Sequence, residues 1–186
     1  MRYIGRNELF GYGFLTGVVV VLSLPLFPYQ WHVFMHIAGA VVFLGNIIVT
    51  GVWMLLAERT RSIPVIHFSA KAVIRADFLF TLPGVLLLVI NGVVMVVDRW
   101  GGWDAFHQIS WVTIALGLFI ASGVIWVGAL LPAQHRMAVF SDPLAYPDSL
   151  PPRFVSAIRQ WYFWGVLAIL LPVASLYLMV HKPVFG

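Results

Sequence analysis

Residues 78–97 read FLFTLPGVLLLVINGVVMVV, a run without a charged side chain, closed by Asp77 on one side and Asp98 on the other. A helix rises ~1.5 Å per residue, so this run covers about 30 Å, the thickness of a bilayer's hydrocarbon core. Its apolar residues are continuous, without the period-two alternation of a membrane β-strand, so the run is read as a membrane-crossing helix. The same reading applies to residues 10–27, 31–57, 109–131 and 161–180. The expected fold is all-α: a polytopic membrane helix bundle of five transmembrane helices, a four-helix core plus an extra N-terminal span.

Composition agrees. The 186 residues are 61% hydrophobic and only 10% charged, against about 25% charged in a soluble domain. The net charge of +4 is spread along the chain, and no nucleic-acid-binding motif accompanies it, so no nucleic-acid partner is expected. There is no cysteine, which excludes disulfides, CxxC redox chemistry and thiolate metal sites.

Lys and Arg concentrate in cytoplasmic connections. With five spans, nine of the eleven basic residues fall on one side: Arg2, Arg6, Arg59, Arg61, Lys71, Arg75, Arg136, Arg153 and Arg159. Arg99 and Lys182 fall on the other. This places the chain in a bacterial cytoplasmic (inner) membrane, N-terminus cytoplasmic and C-terminus periplasmic, with the lipid bilayer as its first partner. Arg2 and Arg6 ahead of an apolar run resemble a signal peptide, but no small-x-small cleavage site follows Phe27, so residues 10–27 are read as a retained span. The expected organisation is an N-terminal transmembrane segment, residues 1–30, and a four-helix membrane core, residues 31–186.

Two connections carry content. Residues 62–76 read as an interfacial helix, with His67, Lys71 and Arg75 four apart on one face. Residues 132–152 hold Pro132, Pro143, Pro147, Pro151 and Pro152 and read as an irregular loop.

The topology gathers His32, His36, His107 and His181 at the outer side, leaving His67 and His135 inside. His32 and His36 are one turn apart and face the same way. His36 lies roughly 7 Å along the helix from Trp31, deep enough to be shielded from water. A neutral imidazole there suits an axial haem ligand, or a ligand for copper or zinc. Gly39 and Ala40 leave little bulk one turn deeper, room for a flat macrocycle or for another helix, and Phe43 continues the face. The same residues also suit a structural role, with histidine as an interfacial anchor and Gly39 and Gly45 as packing residues. Met35 beside His32 and His36 is a candidate copper donor set.

Asn46 and Asn91 are polar residues deep within spans, expected to hydrogen-bond between helices. Asp77 is expected to pair locally with Arg75 or to sit as a charge at a helix N-terminus. Pro83 and Pro172 are expected to kink their helices, and the carbonyl that Pro172 frees needs another partner. No charged residue falls inside a span, which argues against an ion transporter built on buried carboxylates. No P-loop, catalytic triad, HExxH or dinucleotide fingerprint is present.

From His36 onward the chain resembles a family of bacterial integral membrane proteins known only as a domain of unknown function. The resemblance rests on His36-Ile37-Ala38-Gly39, residues 45–50 (GNIIVT), residues 77–84 (DFLFTLPG) and residues 177–183 (YLMVHKP), and covers roughly residues 32–183. More distantly, the four-span part is similar in layout to the HemJ-type protoporphyrinogen oxidases and CopD-like membrane proteins. In the HemJ-type family a histidine early in the first core helix, followed by small residues, ligates haem b, and His36 occupies the matching place. That family also has a lysine in a Trp-x-x-x-Lys pattern, whereas here Trp111 is followed by Ala115. The resemblance therefore implies haem binding without porphyrinogen oxidation.

The resulting expectation is a haem b-binding redox protein, with His36, His107, His32 and Gly39 at the cofactor and His36 and His107 as iron ligands. A quinone or another membrane redox protein would be its electron partner. The alternatives are an accessory or assembly subunit of a larger membrane complex, with oligomerisation, and a copper-handling protein using His32, His36 and Met35.

Overall fold

The computed structural model describes residues 5–184, apart from the side chain of Arg6; Arg2, counted above on the inner side, lies outside them. Among the described residues the regular structure is all helical: α1 (Arg6–Leu22), α2 (Tyr29–Arg59), α3 (Ile63–Ala76), α4 (Leu82–Arg99), α5 (Trp111–Ile125), α6 (Leu131–Phe140) and α7 (Pro152–His181). Four rods are long and apolar enough to cross a membrane: Tyr29–Arg59, Ile63–Arg99, Trp111–Phe140 and Pro152–His181. α1, with 17 residues, measures about 25 Å, short of the roughly 30 Å hydrocarbon core.

Two rods are composite, and proline accounts for both. α3 and α4 join through a π turn, Asp77–Thr81, in which the Leu82 N–H donates to the Asp77 carbonyl five residues back. α5 and α6 join through a second, Trp126–Leu130, in which the Leu131 N–H reaches the Trp126 carbonyl. Each is followed by Leu-Pro, at Pro83 and Pro132. A proline has no N–H, and its ring collides with the carbonyl four residues back. Widening that turn relieves the collision without breaking the helix.

The two connections depart accordingly from expectation. Residues 63–76 are helical but run on into the span as one 37-residue rod. Residues 131–140 are helical as well, so the irregular connection shrinks to the stretch between Ser141 and Pro151. After α4 the chain turns at Gly101 (φ +99°) and Gly102 (φ +66°), backbone conformations that side chains disfavour.

The chain divides into two compact units, one formed by the chain up to Thr50 with Arg75–Ala105, the other by Gly51–Ile74 with the chain from Phe106. In the first, α1 runs parallel to the α3–α4 rod. Glu8 Oε1 lies 3.1 Å from Arg75 Nε, Tyr12 stacks on Phe78, and Ser23 meets Asn91, a nearly constant sequence offset along the two segments. α2 runs antiparallel to the same rod. One face of α2 carries His32, His36, Gly39, Phe43, Asn46 and Thr50, spaced alternately by four and three. That spacing is the stripe of a helix packed along its length on another.

In the second unit α5 and α7 are antiparallel. Pro172 lies inside α7, and the carbonyl it leaves without an intrahelical partner, Ala168 O, accepts from Ser122 Oγ at 2.7 Å. That is the substitute partner the sequence called for. Farther along, Ser175 Oγ donates to Ala115 O at 2.7 Å. Toward the other end of α7, Tyr162 donates to Glu58 Oε2 at 2.6 Å, and Met54, Ala57, Met137, Ala138, Phe154 and Ile158 are buried in the same unit.

Large apolar side chains elsewhere face outward, among them Phe10, Ile37, Val41, Phe163, Val166 and Leu170. In water such a surface would aggregate; against acyl chains it is satisfied.

Candidate functional site

The α2–α4 seam has two polar ends and a tight apolar middle. At one end His32 Nδ1 lies 2.7 Å from Asn91 Oδ1. The Asn91 amide is oriented by its other contacts, since Nδ2 donates to Ser23 Oγ and to Leu87 O, both at 2.8 Å. Its oxygen therefore faces the histidine, and His32 Nδ1 must be the protonated nitrogen. Ser23 in turn donates to Val19 O at 2.8 Å. His32, Asn91 and Ser23 are all buried, at 1%, 0% and 0% exposure, and His32 Nε2 is left without a hydrogen-bond partner.

One turn deeper His36 Nδ1 lies 2.7 Å from the backbone oxygen of Leu88. A carbonyl only accepts, so Nδ1 carries the proton and Nε2 presents a lone pair. Gly92 makes room for the ring, because a Cβ there would come within 3.0 Å of His36 Cε1. A metal-bound histidine is usually oriented in this way, its second nitrogen donating to a carbonyl or carboxylate.

The middle of the seam is closed by glycine. A Cβ on Gly39 would stand 2.7 Å from both Gly84 O and Leu88 N, and one on Gly84 2.9 Å from Phe43 N. The space beside Gly39 is thus occupied by the α4 backbone. Gly45, by contrast, has nothing within 4 Å of where its Cβ would be.

At the far end Asn46 Nδ2 donates to Thr81 Oγ1 at 2.8 Å and to Asp77 Oδ1 at 3.2 Å, and Thr81 Oγ1 donates to Asp77 Oδ1 at 2.8 Å. Asp77 is 4% exposed. Its carboxylate is therefore held across the seam, while Arg75 is the residue beside Glu8. The structure pairs Arg75 with Glu8 and bonds Asp77 to Asn46 and Thr81, since residues two apart on a helix point to different sides.

His32 and His36 therefore share one seam. His107 ends the short 3-10 helix Gly102–His107 in the second unit and is exposed. His181 is exposed and stacks on Tyr177. Met35 is buried on α2. Among the described residues no three His, Asp or Glu side chains form a group that could hold a metal ion. Leu88 and Ser23 were not singled out from the sequence; the four-and-three spacing of residues 77, 81, 84, 88 and 91 was the available signal for Leu88.

Residues 31–183 match the family model DUF2269, described as a predicted integral membrane protein. The chain belongs to that family. Both histidines, Asn91 and the Asn46–Asp77–Thr81 cluster of this DUF2269 protein lie within the matched residues, and Ser23 precedes them. No curated protein and no solved structure matches the chain.

Proposed function

We propose that this integral membrane protein binds haem b through His36 and carries electrons between a quinol and an acceptor on the outer side. The supporting observation is the orientation of His36: Nδ1–H is committed to Leu88 O, leaving Nε2 as a fixed lone pair on a part-exposed residue. Donor count favours haem over a bare ion. Copper or zinc asks for three or four protein ligands, whereas a porphyrin brings four nitrogens and asks the protein for one or two. Haem would supply one-electron chemistry; the chain would hold the imidazole in a single tautomer and exclude water from it. A second axial ligand is part of the same proposal.

The protein purified in mild detergent from haem-replete cells should show a Soret band that sharpens with dithionite, and His36→Ala should lose it while retaining helical circular dichroism. A colourless preparation, or a band undiminished in His36→Ala, overturns the reading. Stoichiometric copper without haem would transfer the assignment to a copper-handling protein, and a colourless, metal-free protein co-purifying with a membrane complex to an accessory subunit.

The proposal includes the five-span topology, N-terminus cytoplasmic, in an inner membrane. Support comes from α1, which runs parallel to the α3–α4 rod from Arg75 to Asn91, alongside slightly under half of that rod's 37 residues. Periplasm-active reporters fused after Arg99 and after Lys182 should be active, and fusions within residues 141–151 inactive. The reverse pattern inverts the topology.

A further inference from the structure

The start of α7 carries a second feature, independent of the histidine seam. A cleft of about 520 Å³ is lined by Leu150, Pro152, Val155, Ser156, Arg159 and Gln160. Its chemistry is divided between three apolar residues and three polar ones, a guanidinium among them. Gln160 Oε1 accepts from Arg136 Nη2 at 2.9 Å, which brings a second guanidinium to the same edge. Arg159 has no hydrogen bond or ion pair among the described residues. The acidic residue before the cleft is Asp148; from Ser149 onward the chain contains no Asp or Glu but carries Arg153, Arg159 and Lys182.

Depth and direction identify the ligand. Trp164 follows within two turns, 36% exposed, an aromatic of the kind that sits at the boundary between headgroups and acyl chains. Arg159 therefore stands at headgroup level. Below it, at spacings of four, three and four residues, Phe163, Val166 and Leu170 form an exposed stripe, at 61%, 58% and 57% exposure. A cationic cleft at headgroup depth continues into an apolar track along one face of one helix.

We propose that this cleft binds the phosphodiester headgroup of an anionic bilayer phospholipid, with Arg159 as the selecting cation and the Phe163–Val166–Leu170 stripe as the track for an acyl chain. A zwitterionic lipid presents the same phosphate with an attached ammonium, which the neighbouring guanidiniums disfavour. A free phosphate or glycerophosphate has no use for the stripe.

The test uses the full chain, delipidated in detergent and titrated with phosphatidylglycerol, phosphatidylcholine or glycerophosphate, with bound lipid counted by native mass spectrometry. Phosphatidylglycerol should bind preferentially, and Arg159→Gln should weaken it roughly fivefold, in line with about 1 kcal/mol per basic residue at a lipid surface. Arg153→Gln, outside the cleft lining, should retain binding. Equal binding of phosphatidylcholine overturns the selectivity, and an unaffected Arg159→Gln overturns the site. Glycerophosphate binding as tightly as the lipid would make the ligand a soluble phosphate. Arg159 is exposed, so its variant should fold, and an unchanged melting temperature without lipid checks this.

Discussion

Gly39→Ala is expected to cost about 1–3 kcal/mol of stability, the usual penalty of overpacking, and Gly39→Leu to yield no stably folded protein. An alanine Cβ would stand 2.7 Å from Gly84 O and from Leu88 N. Both are backbone atoms of a helix and cannot swing aside as a flexible side chain would. Relief requires α2 and α4 to separate, and separation strains the bonds from His32 and His36 on one side and from Asn46 on the other. In a bilayer, where water does not drive helices together, close approach of this kind is a main source of association. Gly45→Ala is the control, since its Cβ meets nothing within 4 Å. Unfolding in detergent followed by circular dichroism makes the comparison. If Gly39→Ala and Gly45→Ala unfold together, the crossing does not hold the seam.

The second large effect is expected at Asn91. Its side chain accepts from His32 and donates to Ser23 and to Leu87 O, joining three helices through one fully buried amide. Asn91→Leu retains volume and removes all three bonds, leaving both ring nitrogens of His32 without partners. Interhelical hydrogen bonds in membranes average about 0.6 kcal/mol and reach about 1.7, so the loss is expected to total about 2–3 kcal/mol. A double-mutant cycle with His32→Phe separates the pair from the rest. Coupling of about 1 kcal/mol is expected; coupling within error of zero would show that the His32–Asn91 contact contributes nothing of its own. Should His36 hold haem, Asn91→Leu is expected to leave its Soret band in place, since His36 is oriented by Leu88 O and not by Asn91.

Much of this could be read from the chain. Residues 78–97 required a buried helix whatever surrounded them, because twenty consecutive residues without a charge admit few other outcomes. Pro172 required a substitute donor for one carbonyl, though not which residue would supply it. Asn46 and Asn91 were recognisable as interhelical partners because a polar amide deep in a span is costly unless bonded. The four histidines were legible only as residues on one side of the membrane. Sequence spacing aligned His32 with His36, but the partners that set their tautomers, Asn91 and the Leu88 carbonyl, lie more than fifty residues away. For Asp77 the sequence offered Arg75 as a partner or a role as a helix-terminal charge. Two residues apart on a helix, Arg75 and Asp77 face different ways, and the bonds to Asn46 and Thr81 became visible only with α2 in place.

The sequence by itself determined that this is an all-helical membrane protein of the DUF2269 family, since apolar run length and local backbone rules act within single segments. Residues 78–97 were enough to decide the class. Only the tertiary structure decided what that segment does. It meets α2 in antiparallel register, closes on Gly39 at Gly84, and places Asn91 and Leu88 O where they direct two imidazoles. Register between helices is set by the fit of whole surfaces, glycine against backbone and amide against imidazole. Such a fit belongs to the pair and cannot be read from either strand of sequence alone.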